Sequence, residues 1–574
     1  MILSIQGVTF TYPGGDAPVL RDLNLEVPQG DFVALIGNNG SGKTSLCKLL
    51  TGLIPHFFDG DFEGEVLVNG KNTLEHRVGE LARQVGYVYQ DFENQLVKPK
   101  VLDDVAFAPL NFGLPDYKTR AQQALALLGL TPLQNRIIWE LSGGEQHLVA
   151  LAGALAMSPE IIMVDEPVAQ LDPVNAETVY QNLAMLNQKF GKTIIVIEHH
   201  PDFIGAYCKS VILLRNGSVV WHLPVQEALS RVDDLRENDL FPPHVTRLAH
   251  ALRTERETPH PYPIHLEDGI PYFRPFVHPS NGASVVPPVP SLPEPAKPKP
   301  DPLLEFRNVS HHYLTITNEP KPVLNQINLQ IHAGDRIALV GANGAGKSTL
   351  LKMVSGLERP KEGVLFFRGQ NTARLSPEKL ADDIALIYQD PQQMFIEDSI
   401  ERDIAYYLTE RKVPGTSEIV AKALVDFRLE AIKERDGRLL SGGQMRRLSL
   451  AIGASMRPKV MLLDEPTSSL DVANRIQITE MLRKLEEWVQ TVIIATHDME
   501  LVTEWANRVI VLRQGQILAD APPADIFRDQ TLVQTARIRL PQVVSLSHAL
   551  ALFPMPLTVN GFLQFVRARR DSHV

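Results

Sequence analysis

The chain has 574 residues, 44% hydrophobic and 21% charged, an ordinary globular composition at a length that calls for at least two cores. Its 2 cysteines exclude a disulfide framework, a cysteine zinc site and an iron–sulfur cluster, and point to a reducing compartment. With 56 Lys and Arg against 67 Asp and Glu, the net charge is −11, so no overall positive field draws the chain to nucleic acid or anionic lipid. No apolar run reaches the ~18 residues of a membrane-spanning helix, and the N-terminus MILSIQGVTF has neither a basic region nor a cleavage site.

In chain order, the apolar run Phe32 to Ile36 predicts a buried strand. It leads into Gly37, Asn38, Asn39, Gly40, Ser41, Gly42, Lys43, Thr44 and Ser45, the pattern G-x-x-x-x-G-K-[ST]. Glycines let backbone N–H groups curl around an anion, the following helix adds its positive end, the lysine reaches the β- and γ-phosphates, and Thr44 places a hydroxyl on Mg2+. Gln90 follows a second apolar strand, and AQQALALLGL marks a helical insert between Gln90 and Ser142. Ser142, Gly143, Gly144 and Glu145 fit the capping box S-x-x-[EQ] of a helix. Capping does not require two glycines, and removing both side chains leaves a bare helix N-terminus suited to phosphate. The strand Ile161 to Val164 precedes Asp165 and Glu166, one carboxylate to hold the metal through water and one to orient an attacking water. The strand Ile194 to Ile197 precedes His199. Each group sits at or just beyond the C-terminal end of a predicted strand, where ligands bind in open α/β sheets.

The whole order then returns. Gly341, Ala342, Asn343, Gly344, Ala345, Gly346, Lys347, Ser348 and Thr349 repeat the glycine-rich loop, with Lys347 304 positions after Lys43. Gln389, the run Ser441, Gly442, Gly443 and Gln444, and the pair Asp464 and Glu465 follow their counterparts by 299 positions, and His497 by 298. The strands Ile337 to Val340, Val460 to Leu463 and Val492 to Ala495, and the helical SEIVAKALVDF, fall in the matching places. This is a tandem duplication. It extends to the tails, PHVTRLAHAL from Pro243 against PQVVSLSHAL from Pro541, which places the first domain at 1–275. Residues 276–302 hold 9 of the 42 prolines and read as a semi-extended spacer, able at ~3.1 Å per residue to reach roughly 80 Å. The second domain is 303–574. The expected fold is α/β, two tandem domains each with a parallel-sheet core, a helical insert and a small C-terminal appendage.

The glycine-rich loop, a glutamine after an apolar strand, LSGG[EQ], strand-Asp-Glu-Pro and a strand-terminal histidine, twice over, resemble the nucleotide-binding domains of ABC ATPases. The resemblance implies a P-loop NTPase fold, ATP and Mg2+ as ligands, and a head-to-tail sandwich with each ATP between the glycine-rich loop of one domain and the LSGG turn of the other. One site would combine Lys43, Thr44, Gln90, Asp165, Glu166 and His199 with Ser441, Gly442, Gly443 and Gln444. The other would combine Lys347, Ser348, Gln389, Asp464, Glu465 and His497 with Ser142, Gly143, Gly144 and Glu145. Glu166 and Glu465 match the catalytic bases and His199 and His497 the switch residue contacting the γ-phosphate. Thr44, Gln90 and Asp165, and Ser348, Gln389 and Asp464, match the metal-holding sets. Tyr12 and Tyr313 match the adenine-stacking position, and Asp172 and Asp471 the loop at the dimer interface. The first half departs from the family's DEPTSxLD, reading DEPVAQLDP, and has Glu198 where the second has Thr496. Neither change removes a phosphate or metal group, so both sites are expected to hydrolyse ATP.

The segments QDFENQLVKPKVLDDVAFAP and QDPQQMFIEDSIERDIAYYL, with the PxVxxLxxAL tails, are similar to energy-coupling-factor transporters for vitamins and metal ions, with Phe92 standing for Pro and Val97 for Phe in the first half. That likeness implies an ATPase at the cytoplasmic face of the cell membrane, docked on a transmembrane scaffold subunit, with a separate membrane subunit binding the substrate. One alternative is a soluble tandem ABC ATPase acting on ribosomes or DNA, which would be expected to bring a basic linker, zinc-binding cysteines or coiled coils; the spacer's basic residues are Lys297 and Lys299. Another is a sugar-type importer ATPase with fused halves. No nucleic-acid partner is expected.

Overall fold

The computed structural model describes residues 1–168, 171–253, 261–277, 301–314, 318–468 and 470–571. Nearly all of the proline-rich spacer falls outside them. The chain divides into two units, Met1–Tyr272 and Phe273–Val574, and the division lies inside a helix, Leu266–Val277.

The first unit has strands β1 (Leu3–Thr11), β2 (Leu20–Val27), β3 (Phe32–Ile36), β4 (Asp61–Val68), β5 (Lys71–Asn72), β6 (Val85–Val88), β7 (Ile161–Asp165), β8 (Thr193–Ile197), β9 (Ser210–Arg215) and β10 (Ser218–Pro224). Four of them form an antiparallel sheet in the order β2-β1-β4-β5, and six form a second sheet in the order β10-β9-β3-β8-β7-β6. That sheet is parallel except at its β10 edge. The continuous apolar runs follow from burial on both faces. In β3, Val33 and Leu35 pack with Ile5, Phe10 and Leu25 beneath the antiparallel sheet, while Phe32, Ala34 and Ile36 pack with Leu148, Leu151 and Tyr180 of the helical layer. The parallel core was expected from the sequence; the antiparallel sheet on one face of it was not, because its alternating strands resemble those of any half-buried hairpin.

The second unit repeats this plan with β11 (Leu304–Leu314), β12 (Pro320–Ile331), β13 (Arg336–Val340), β14 (Glu362–Phe367), β15 (Gln370–Asn371), β16 (Ile384–Ile387), β17 (Val460–Asp464), β18 (Thr491–Ala495), β19 (Arg508–Arg513) and β20 (Gln516–Ala521), in the sheet orders β12-β11-β14-β15 and β16-β17-β18-β13-β19-β20. The helical inserts include Val101–Val105, Phe107–Asn111 and Tyr117–Leu127 in the first unit and Ile400–Glu410 and Thr416–Asp426 in the second. Through Ala121 and Leu125 of Tyr117–Leu127, and Ala423 and Leu424 of Thr416–Asp426, the inserts join the cores of the helices Gly143–Leu155 and Gly442–Ser455. The tails are helical: His244–Arg253 and Leu266–Val277 in one half, Gln542–Ala549 and Val559–Asp571 in the other.

Candidate functional site

Each glycine-rich loop joins the central strand β3 or β13 to a helix, Lys43–Leu50 or Lys347–Val354. Gly40, Gly42, Gly344 and Gly346 take positive φ, which L side chains rarely adopt. Gly37 and Gly341 are closed to any larger residue, since an added Cβ would stand 2.3 Å from the carbonyl of Leu214 or Leu512. Lys43 curls back inside its loop and donates to the carbonyls of Gly37 and Asn38 at 2.7 and 3.0 Å; Lys347 does the same to Gly341 and Ala342 at 2.7 and 3.3 Å. Beside the loops, the Tyr12 hydroxyl is 3.2 Å from Ser45 Oγ and that of Tyr313 is 3.4 Å from Thr349 Oγ1. Each tyrosine rests edge-on against its neighbour in the strand, Phe10 or His311, with ring centroids 4.9 Å apart.

Asp165 and Asp464 end β7 and β17, and the following Glu166 and Glu465 have φ of 48° and 47°. Such left-handed backbone is uncommon for residues with a long side chain, and it recurs at both candidate bases. The backbone N–H of each glutamate donates to the end of the neighbouring strand, at Ile197 O or Ala495 O. In the first unit Gln90 Nε2 donates to Glu166 Oε2 at 2.7 Å, and His199 Nε2 stands 3.3 Å from Glu166 Oε1. In the second, His497 Nδ1 stands 2.9 Å from Glu465 Oε2, with Lys347 Nζ 4.0 Å from Oε1. Burial alone would raise Glu465; its partner His497 and the Lys347 ammonium overcome this and hold it below the ordinary carboxylate value. Burial likewise opposes the charge on His497, and Glu465 raises it back above the ordinary imidazole value. Asp165 is pushed up to about 6 by burial and by Glu166, against a hydrogen bond from the Tyr87 hydroxyl at 3.1 Å. Asp464 is raised by burial and accepts a hydrogen bond from Ser348.

The serine-glycine turns form a second assembly in each unit. Ser142 and Glu145 complete a capping box, as do Ser441 and Gln444, worth about 1 kcal/mol of helix stability. Of each glycine pair only the first, Gly143 or Gly442, is open to an incoming group. A Cβ on Gly144 would meet Asn175 at 2.5 Å, and one on Gly443 would meet Asn474 at 2.2 Å. The second glycine thus serves packing within its own unit, which corrects the expectation that both were bared for a ligand. Asn175 and Asn474 belong to the helices capped by Asp172 and Asp471, whose carboxylates accept the Asn backbone N–H at 3.0 and 2.8 Å.

The loops after Gln90 and Gln389 are fixed by carboxylates that motif reading passed over. Asp104 Oδ1 accepts the N–H groups of Val97 and Lys98 at 2.7 and 2.8 Å; Asp403 Oδ1 accepts those of Ile396 and Glu397, both at 2.8 Å. This pairs Val97 with Ile396, so the residue in the place of Phe395 is Leu96, not Val97 as the sequence alignment had it. Tyr87 was also missed, because it does not repeat, Leu386 standing in the other half; Glu198 was noted against Thr496, but not that its buried carboxylate accepts the His199 N–H. Comparing the halves position by position would have exposed Tyr87 as well.

The arrangement suits ATP with Mg2+. A glycine cradle holds an ammonium against backbone carbonyls, a buried Ser41 hydroxyl lacks a hydrogen-bond partner among the described residues, and a crowded carboxylate pair favours a cation. Thr44, Gln90 and Asp165, and Ser348, Gln389 and Asp464, would hold Mg2+ there, and it would supply positive charge to offset that on the phosphates. Fold and site define a P-loop ATPase with two nucleotide-binding units. The ABC transporter family model matches residues 20–169 and 324–468, and the chain belongs to that family. It is 32% identical to an ABC transporter ATP-binding protein of Methanosarcina acetivorans over 98% of this chain and 94% of that one. Against one of Methanosarcina mazei it is 32% identical over 99% and 97%. Among solved structures, CbiO1 of Clostridium perfringens, described as part of the ABC transporter complex CbiONQ, is 29% identical over 43% of this chain and 98% of that one, with a TM-score of 0.38. The chain is therefore an ATP-binding ABC transporter protein and an ATPase, and no helix among its described residues is long and apolar enough to cross a membrane.

Proposed function

We propose that the chain is the energy-coupling ATPase of an importer of the energy-coupling-factor type, serving vitamin or metal-ion uptake. It docks at the cytoplasmic face on a transmembrane scaffold subunit, while a second membrane subunit binds the substrate. The observation that carries this reading is the loop after each motif glutamine. In both units a buried aspartate holds an exposed aliphatic residue outward, Val97 at 57% and Ile396 at 48% exposure, and Trp139 and Leu439 stand exposed just before the serine-glycine turns. Exposed apolar residues on a rigid frame, repeated beside each site, suit the ends of a membrane subunit's helices. The net charge of −11 supports a partner other than nucleic acid.

In the head-to-tail arrangement, Lys43 and Lys347 hold the β- and γ-phosphates of ATP, and Thr44, Gln90 and Asp165, with Ser348, Gln389 and Asp464, hold the metal. Glu166 and Glu465 accept the proton of the attacking water. His199 and His497, each against its glutamate, orient that carboxylate and sense the γ-phosphate. The turns at Ser441 to Gln444 and Ser142 to Glu145 close over the opposite ATP. Purification from membranes in mild detergent tests the assignment: recovery with one scaffold subunit and one small substrate-binding subunit is expected. Release as a free ATPase, or recovery on ribosomes, would overturn it.

A further inference from the structure

Tyr87 lies on β6 beside Met163 of β7, in parallel register. Residues two apart on a strand share a face, so Asp165 stands on the same side of the sheet as Met163, and the Tyr87 ring packs against the core on that side. From there its hydroxyl donates to Asp165 Oδ2 at 3.1 Å. The tyrosine is itself held in place. Gln95 Nε2 donates to the Tyr87 carbonyl at 3.1 Å, Gln95 Oε1 accepts the Tyr89 N–H at 3.2 Å, and the rings of Tyr87 and Tyr89 lie 4.6 Å apart, centroid to centroid. Burial pushes the phenol well above its ordinary value, so the hydroxyl stays protonated and donates. The second unit keeps the register and changes the chemistry. Leu386 lies beside Leu462, two residues before Asp464, and has no hydroxyl to donate; Met394 stands in the place of Gln95. Asp464 takes its hydrogen bond from Ser348 of the glycine-rich loop instead. One aspartate is thus held by a group read as a metal holder, the other by a group outside that set.

We propose that Tyr87 is a positioning residue for Mg2+ in the first unit, fixing Oδ2 of Asp165 and so keeping Oδ1 oriented for the ion. The inference rests on the reading of Asp165 as a metal-holding residue. An aspartate carboxylate turns readily about its Cβ–Cγ bond, and an ion that binds a turning ligand must also order it. A hydrogen bond from a ring already immobilised by packing and by Gln95 does that ordering in advance. Outer partners of this kind change metal affinity by ~10–100-fold when removed.

The test uses the full-length chain carrying Lys347→Ala, which leaves the first unit's site to be read, and follows binding of a fluorescent ATP analogue as Mg2+ is added. Tyr87→Phe keeps the ring and removes the hydroxyl. It is expected to raise the half-saturating Mg2+ concentration by about tenfold or more and to leave binding without Mg2+ unchanged. A packing role alone would weaken binding with and without the ion alike, and that result overturns the proposal, as does an unchanged Mg2+ requirement. Should Tyr87→Phe fail to fold, Tyr87→Leu, which copies the second unit, is read in the same way. In an Asp165→Asn background Tyr87→Phe should add no more than about twofold, because it acts through that carboxylate; a full effect there also overturns the proposal. Asp165→Asn alone separates the two claims. If it leaves the Mg2+ requirement unmoved, the metal reading of Asp165 falls, and if it raises the requirement while Tyr87→Phe does not, only the role of Tyr87 falls.

Discussion

Replacing Glu198 removes the latch that fixes His199, the proposed switch histidine of the first unit. The carboxylate is 2% exposed; Oε1 accepts the backbone N–H groups of His199 and His200 at 2.7 and 2.9 Å, and Oε2 accepts the Tyr180 hydroxyl at 2.5 Å. Glu198→Ala strands three donors. Each stranded donor costs about 1–3 kcal/mol, which sets a floor of about 3 kcal/mol before any cavity is counted. Tyr180→Phe keeps the ring, stacked on Phe203 with centroids 4.6 Å apart, and loses one hydrogen bond to a charged group, about 1.5–3 kcal/mol. Glu198→Gln keeps an acceptor for the two N–H groups and lets its amide donate to Tyr180, so its cost is about 1 kcal/mol or less. At about 2–4 °C per kcal/mol for a domain of this class, the first melting transition should fall furthest for Ala, less for Phe and least for Gln. Differential scanning calorimetry reads the order, and first-site turnover in a Glu465→Gln background should fall in the same sequence. An Ala variant that melts and turns over like the Gln variant would refute the latch.

On the proposed reading each site holds its own base, so Glu166→Gln and Glu465→Gln should each lower steady-state ATP turnover on their own; a substitution that leaves the rate untouched marks its site as non-catalytic. Asp165→Asn should stabilise the nucleotide-free protein at pH 7.5. With the carboxyl raised from 3.8 to about 6, the folded state binds the proton more tightly than the unfolded one, so stability falls as pH rises through that window, by up to about 3 kcal/mol. The gain in melting temperature should fade toward pH 4, and a gain constant with pH would contradict the shift. Gly341→Ala should weaken binding of a fluorescent ATP analogue at the second site by tenfold or more (~1.4 kcal/mol), since its Cβ would enter the Leu512 carbonyl; unchanged affinity would mean that the loop relaxes around it.

Much of the candidate site is written locally, which is why motif reading reached it. Lys43, Asp165 and His199 each follow an apolar strand within a few residues, and parallel strands bring their C-terminal ends together wherever they lie in the chain. The capping boxes were legible for the same reason, as a spacing of three on one helix. What stayed hidden depends on distant residues. Nothing near Gly144 in the sequence announces Asn175, and nothing near Val97 distinguishes Asp104 from a solvated acid.

The two copies also satisfy the same demand by different means, and this explains why single-copy motif reading fails there. The switch-histidine segment of the first unit hangs on Glu198 and Tyr180. In the second unit Thr496 accepts the N–H of Asp498 at 3.0 Å, and Asp498 caps the next helix and stands 3.6 Å from Arg475 Nη1. Likewise Tyr87 donates to Asp165 where Ser348 donates to Asp464. Groups that touch phosphate or metal face a fixed ligand geometry, which leaves few alternatives. Groups that only orient them face a weaker requirement, any donor or acceptor at the right place, and so they drift once a gene has doubled.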